Sequence, residues 1–363
     1  MTTVHVVVPD AFDDPQRPSG GNVYDRRLCE ELGRLGWSVR VLPVPGPVAL
    51  AAALDDVADG GLVIVDGLVG SGAPDAVVRH ADRLRLAMLV HLPLGVDGDD
   101  GVRARERAAL HGCAAVIATS RWTRRWLERR YDLTAGRVAV AEPGVDRAPL
   151  APGTPSGRRL LCVAAVAPVK GQDVLVGALA AVADLDWACT WAGSTAVDPA
   201  FAATTTAAAR RAGIGERIEV VGPLAGARLA EAYAGADLVV VPSRAETYGM
   251  VVTEALARGV PVVASDVGGV REALGTAGGV LPGLLVRPED PAALGEALRR
   301  WLSDAGLRDE LRRRARARRS GLTAWSGTAR RVARAVAAPT HAPAVPAVVG
   351  GPGHVPRGGV AHG

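Results

Sequence analysis

Apolar residues in this chain fall into short, almost unbroken runs separated by longer stretches in which they recur every three or four positions. The runs Val4–Val8, Val39–Leu42, Leu62–Val65, Arg85–Val90 and Ala115–Ala118 are mostly apolar rather than alternating. That is the pattern of strands covered on both faces. Between them, Asn22–Leu35, Gly101–His111 and Arg121–Arg130 carry the helical period. Strand and helix in turn predict a parallel sheet with crossover helices.

From Arg147 to Arg159 the period breaks into a Pro/Gly/Ser cluster, Ala148 to Gly157, which reads as a linker. A second alternating series follows: Leu160–Ala165, Gln172–Ala183, Ala188–Ala192, Phe201–Ala212, Ile218–Val221, Leu229–Gly235, Leu238–Val241, Met250–Arg258 and Val260–Ala264. The prediction is an α/β chain of two Rossmann-like doubly wound lobes, residues 1–148 and 149–324, facing a cleft. Open α/β sheets bind ligands beyond the carboxyl ends of their strands, so the functional residues should follow strands. Residues 337–363 are rich in Pro, Gly, Val and His without any period and predict a disordered tail, in which His341 and His354 lack the clustering of metal ligands.

Bulk composition narrows the function classes. A length of 363 residues suits two lobes, and 48% hydrophobic with 22% charged residues is ordinary for a folded protein. Lys170 is the only lysine, so the net charge of +4 reflects a habit of using arginine. Basic and acidic residues are interspersed, without the stacking aromatics of a nucleic-acid binder. The exception, Arg312 to Arg319, reads as a solvated helix face. Trp122 and Trp126 stand beside Arg124, Arg125, Arg129 and Arg130, a helix that would suit lipid headgroups but that reads better as aromatic packing with arginine in water. Cys29, Cys113, Cys162 and Cys189 are scattered in apolar contexts and read as buried thiols. The first residues read as a strand rather than a leader, and no apolar run is long enough to span a bilayer. A cytoplasmic protein is expected.

Chemistry concentrates after two strands of the second half. Beyond Val241 the chain reads Pro-Ser-Arg-Ala-Glu246-Thr-Tyr248-Gly249-Met250-Val251, then a helix carrying Glu254. The free amides of that helix start and its positive dipole end suit a diphosphate, and Gly249 permits close approach. Helical side chains lean toward the N-terminus, so Glu254 would point back at the ligand and accept two hydrogen bonds from a vicinal diol. Glu246 would meet sugar hydroxyls. Lys170-Gly171 follows the strand at Leu160–Ala165, another junction suited to phosphate. In the first half, Gly20-Gly21-Asn22 opens a helix, and His91 ends a strand at the predicted cleft. Each of these features also has an ordinary structural explanation; their coincidence is what points to a site.

These residues resemble the family-4 retaining glycosyltransferases of the GT-B fold. The diagnostic element is a Glu, seven residues and a second Glu, here Glu246 to Glu254, with Val267-Gly268-Gly269 beyond it. Further matches are Gly20-Gly21-Asn22, His91, Ala118-Thr119-Ser120, Pro143-Gly144-Val145-Asp146, Lys170-Gly171, Gly193-Ser194, Gly222-Pro223-Leu224 and Trp325. The resemblance implies that Glu254 holds the donor ribose and Lys170 the diphosphate. It gives the transferred sugar to Glu246 and to the backbone of Tyr248, Gly249, Met250 and Val251. Gly20 and Gly21 would approach the diphosphate from the other lobe, His91 would sit beside the sugar, and Gly222 to Leu224 would lie near the nucleobase. It also implies a helix, residues 325–336, crossing back to the first lobe. The donor would be a UDP- or GDP-sugar, used without cofactor or metal; Asp97-Gly98-Asp99 lacks a partner ligand in the sequence. In one departure, Ala165 stands where many members carry an arginine, so either another arginine substitutes or the donor is held less firmly.

Two other readings stay open: a degenerate relative that binds nucleotide sugar or a partner protein, and a nucleotide-sugar epimerase. A phosphorylase would need a lysine for pyridoxal phosphate, and the only one is already assigned to the diphosphate. The acceptor, whether small molecule, glycan or lipid-linked, is not written in these residues.

Overall fold

A computed structural model describes residues 2–14, 19–134 and 136–337. The tail expected after Ala337, with His341 and His354, lies outside the described residues. The strands of the first half are β1 (Thr3–Pro9), β2 (Ser38–Val44), β3 (Leu62–Asp66), β4 (Arg85–Val90), β5 (Ala115–Ala118) and β6 (Val138–Val140). They pair in parallel in the order β2-β1-β3-β4-β5-β6. The second half supplies β7 (Arg159–Val163), β8 (Ala188–Ala192), β9 (Ile218–Gly222), β10 (Leu238–Val241), β11 (Val262–Ser265) and β12 (Gly283–Val286). These form a second parallel sheet in the order β12-β11-β10-β7-β8-β9. The α/β architecture expected from the alternation is the one observed.

The absence of alternation in the strands has its cause in the packing. Successive side chains of a strand point to opposite faces. Thus Val63 and Val65 enter one core of the first lobe, while Leu62 and Ile64 enter the other. In the second lobe Leu238 and Val240 pack on one side of β10, and Val239 and Val241 on the other. The strands β6 and β12 were not anticipated. Both lie at sheet edges, they have three and four residues, and only their first residues are buried, so they leave too short an apolar run to read.

Residues 141–158 form no helix or strand. The latter part is nonetheless fixed to the second lobe: Ala151 N donates to Arg258 O at 2.9 Å, and Thr154 Oγ1 donates to Asp237 Oδ2 at 2.7 Å. The basic run from Arg312 is therefore only partly a solvated face. Arg312 reaches Thr154 O and Asp237, Arg318 reaches Leu274 O, and Arg319 ties Ala257 O to Ala148 O. These guanidinium groups satisfy carbonyls that irregular backbone and helix ends would otherwise leave open.

The final described helix, Trp325–Ala337, leaves the second lobe and buries Trp325, Ala329, Val332 and Val336 against Val4, Val6, Tyr24 and Leu28 of the first. Its start is locked by close backbone approach. A Cβ on Gly144 would lie 2.4 Å from the Trp325 backbone, and Thr328 Oγ1 donates to Glu142 O at 2.8 Å. Among the described residues no helix is long and apolar enough to cross a membrane. Trp126 packs edge-on against Tyr131, with ring centres 5.5 Å apart. Cys113, Cys162 and Cys189 are buried, whereas Cys29 is half-buried; burial raises the thiol pKa of all four.

Candidate functional site

Each sheet reverses its winding once, between β1 and β3 in the first lobe and between β7 and β10 in the second. Loops diverge at such a point and leave a crevice beyond the strand ends. In the second lobe β7 leads into a short turn, Pro168–Lys170, and then helix Gln172–Ala180. β10 leads into Pro242 to Gly249 and helix Met250–Ala257. The two loops are knitted together: Arg244 N donates to Val169 O at 2.8 Å. Gly171 sits in the left-handed region at φ 70°, where a Cβ would lie 2.1 Å from Pro242 O.

This brings Lys170 and Glu246, distant in sequence, into contact. Lys170 Nζ donates to Glu246 Oε1 at 2.7 Å, and Ser243 Oγ donates to the same oxygen at 2.9 Å. The backbone of Glu246 is clasped from behind by Gly268 and Gly269. Gly269 N donates to Glu246 O at 3.0 Å, and a Cβ on Gly268 would come within 1.6 Å of that oxygen. The Tyr248 side chain is buried in the core. Gly249, at φ 93°, turns the chain into the helix. Glu254, in the helix's second turn, accepts a 2.6 Å hydrogen bond from Tyr233 OH. Burial raises the Glu254 pKa, opposed by that hydrogen bond and by Arg258. Gly222 ends β9 at φ 73°, and Leu224 packs partly into the same core as Tyr233.

Arg244, the arginine of these two loops, is engaged elsewhere and does not stand in for an arginine at Ala165. Arg244 spends its guanidinium on Asp173, at 2.7 and 2.9 Å, on Glu289 and on Pro168 O.

From the first lobe, Gly20 and Gly21 open helix Gly20–Arg34, whose start is capped by Ser19 Oγ accepting from Asn22 N at 3.0 Å. A Cβ on Gly20 would touch Met250 Sδ at 3.4 Å, so the two lobes meet where both sequences place a helix start. A Cβ on Gly21 would lie 3.2 Å from the His91 ring. His91 follows β4 and its Nε2 lies 2.7 Å from Asp25 Oδ1 and 3.7 Å from Asp66 Oδ2. Burial pushes the imidazole pKa down, but Asp25, by charge and hydrogen bond, and Asp66, by charge, raise it overall. Asp66 itself is pushed up to about 6, first by burial. A second link between lobes is Glu272, which accepts from Arg121 N at 2.7 Å at the start of helix Arg121–Tyr131.

Asp25, Asp66 and His91 form the one group among the described residues whose ligand atoms gather within 4.8 Å. The 2.7 Å approach of His91 to Asp25 is a hydrogen bond with a proton between the atoms, shorter than the spacing of two ligands around one ion. Asp99 caps helix Asp100–Gly112 by accepting from Val102 N at 2.8 Å, and so has a structural task.

Sequence reasoning missed Tyr233, Ser243, Asp25, Asp66 and Glu272. Asp66 alone left a signal, a carboxylate closing a buried apolar strand at its carboxyl end.

Comparison with known proteins gives this arrangement a context. Residues 153–318 match the model of the family described as glycosyl transferases group 1. The D-inositol 3-phosphate glycosyltransferase 1 of Catenulispora acidiphila is 34% identical over 274 residues, 67% of this chain and 64% of that protein. The D-inositol 3-phosphate glycosyltransferase of Frankia alni is 34% identical over 247 residues, 63% of this chain and 60% of that protein. The matched region thus spans just under two thirds of these relatives. Among solved structures, sucrose-phosphate synthase from Thermosynechococcus elongatus superposes with a TM-score of 0.76 at 24% identity, covering 92% of this chain and 98% of that one. Anabaena HepE in complex with UDP and glucose superposes at 0.73 with 17% identity, covering 92% and 99%.

Proposed function

We infer that this chain, whose residues 153–318 match the group 1 glycosyl transferases, is a member of that family and moves a hexose from a nucleotide-diphosphate sugar to an acceptor hydroxyl, with retention and without a metal ion. The observation that carries the reading is the Lys170–Glu246 pair, 2.7 Å apart at the switch point of the second lobe, beside a helix that carries Glu254 and whose first residue, Met250, meets Gly20. A lysine paired with a carboxylate in the free protein is poised to exchange partners. The donor diphosphate takes the ammonium, and Glu246 is released to accept sugar hydroxyls.

The remaining groups fall into place on that reading. Glu254 accepts the ribose diol, while Tyr233 fixes one of its oxygens. Gly222 and Leu224 lie toward the base, and His91 stands beside the sugar. As the anomeric carbon–oxygen bond to the diphosphate breaks, Lys170 and the amides near Gly249 to Val251 take up the negative charge. The acceptor oxygen bonds to the same face of the sugar, and its proton passes to the departing phosphate oxygen. With the charge met in this way, the transfer proceeds without a cation. UDP and GDP are the nucleotides of choice, UDP first because HepE was solved with UDP-glucose. D-inositol 3-phosphate is the first acceptor to try, from the names of the curated relatives.

The test is thermal stabilisation of the protein by UDP, GDP, ADP and dTDP, with Lys170→Ala alongside. A nucleotide at about 100 times its Kd adds about 2.7 kcal/mol to the folded state, enough to see in a melt. One nucleotide should stabilise the wild type and do little for the variant; four flat melts would overturn the reading. Binding without transfer or slow donor hydrolysis would favour a degenerate nucleotide-sugar binder instead.

A further inference from the structure

His91 is held more elaborately than a core histidine requires. Its ring is faced by Asp25 from helix Gly20–Arg34 and by Asp66 from the end of β3, with the Tyr24 ring edge-on at 5.0 Å. The two carboxylates are 1% and 4% exposed. Asp66 divides its oxygens: Oδ1 accepts from Leu68 N at 2.7 Å and Val69 N at 3.3 Å, which leaves Oδ2 as the oxygen nearest His91. Asp25 uses Oδ1 for His91, and its Oδ2 is buried with no partner among the described residues. Two carboxylates buried against one imidazole favour a ring with a proton on both nitrogens, and below the Asp66 pKa, raised by burial to about 6, the proton on Asp66 leaves Asp25 as the charged partner of the ring. His91 Nε2 is spent on Asp25, whereas Nδ1 has no hydrogen bond to the described residues and is not sealed from solvent.

We propose that Asp25 and Asp66 are positioning residues that hold His91 with Nε2–H on Asp25 and Nδ1–H presented to a hydroxyl of the transferred sugar. The identity of that ligand rests on the sugar-transfer reading; the placement of the ring does not. A neutral ring hydrogen-bonded through Nε2 would offer only a lone pair at Nδ1, so the carboxylates decide whether His91 donates or accepts at the cleft. Both carboxylates favour the doubly protonated ring, so the donor is present at low pH and is lost as pH rises through the elevated His91 pKa.

The experiment follows the His91 nitrogens by long-range proton–nitrogen NMR across pH in the full chain, assigned with His91→Gln. Wild type, Asp25→Asn and Asp66→Asn are compared, and the pH profile of kcat for UDP-glucose hydrolysis is measured in parallel. Asn at position 25 keeps an acceptor for Nε2–H but removes the charge. The expected result is a His91 titration about one pH unit lower in Asp25→Asn, a roughly tenfold loss of the protonated ring on the alkaline side, and a kcat limb that moves with it. UDP should still stabilise the variant in a melt. An unchanged His91 titration in both variants overturns the proposal, whether or not sugar is turned over, and so does a kcat limb that stays put while the titration moves. Absence of UDP binding and turnover in the wild type overturns the sugar-transfer reading instead, and the NMR titration still decides whether the carboxylates set the ring.

Discussion

Replacing Tyr233 with Phe isolates the contribution of one buried hydroxyl to the proposed nucleotide binding. Tyr233 is fully buried and its OH lies 2.6 Å from Glu254 Oε2. The ring remains in Phe, and so does the Arg258 guanidinium 4.6 Å from its centre, so the fold should be kept. A hydrogen bond to a charged group contributes about 1.5–3 kcal/mol, which at about 1.36 kcal/mol per pKa unit amounts to about one to two units. The Glu254 pKa is already raised by burial, and the Tyr233 hydroxyl is the first of the groups opposing that rise. Its loss moves the carboxyl further up. On the proposed role, Glu254 must be ionised to accept the ribose diol, so affinity is full above its pKa and falls as pH drops through it. Calorimetric titration of UDP over a pH series carried down until wild-type affinity has itself fallen should give variant and wild-type Kd values close together at the alkaline end. They should diverge by about tenfold or more once pH lies below the Glu254 pKa of both proteins, following those one to two units. A ratio within about twofold at every pH, with one unit being tenfold, would refute the coupling of Tyr233 to the site.

Two further substitutions test the supports of the site. In Gly268→Ala the residue must hold φ 53°, at a cost of roughly 1–2 kcal/mol, and its Cβ would press on Glu246 O. The melting temperature should fall by several degrees and turnover should drop further than stability alone accounts for; unchanged turnover would show that the clasp does not position Glu246. Trp325→Ala opens a cavity where the indole packs edge-on against Tyr24, ring centres 5.5 Å apart, and should cost about 3–5 kcal/mol in urea unfolding. A loss below about 1 kcal/mol would mean that the crossing helix is not anchored by this residue.

How much of this was legible in the sequence depends on whether the chemistry is local. Glu246, Gly249 and Glu254 occupy one strand-to-helix junction, and helix-start chemistry is written within a few residues. Lys170 was legible by contrast, being the single lysine of the chain. Their partners were not. Tyr233 meets Glu254 from 21 residues away, Asp25 meets His91 from 66, and Glu272 meets Arg121 from 151. Nothing in periodicity encodes such separations; they follow from which strand ends the sheet order sets side by side. The run Arg312 to Arg319 misled for the same reason. A solvated face was the natural reading of its charge, and only the fold shows that Arg312, Arg318 and Arg319 reach backbone carbonyls of distant loops and helix ends.

The division between lobes has a physical logic of its own. Each sheet supplies one crevice, and neither holds a complete set of groups: the second carries Lys170, Glu246 and Glu254, the first carries His91 with its two carboxylates. What joins them is small. Met250 packs against cores of both lobes, and its Sδ stands 3.4 Å from where a Gly20 Cβ would be. A larger side chain at position 20 would hold the helix starts apart, and with them the groups on either side of the cleft. Glycine there serves the meeting of the lobes, besides any approach of a phosphate on the proposed reading, and helix Trp325–Ala337 keeps the lobes on one tether. On the proposed reading, donor binding and the His91 contact to the sugar are therefore separable by design, the first set by loops of one sheet and the second by how closely the two sheets are brought together.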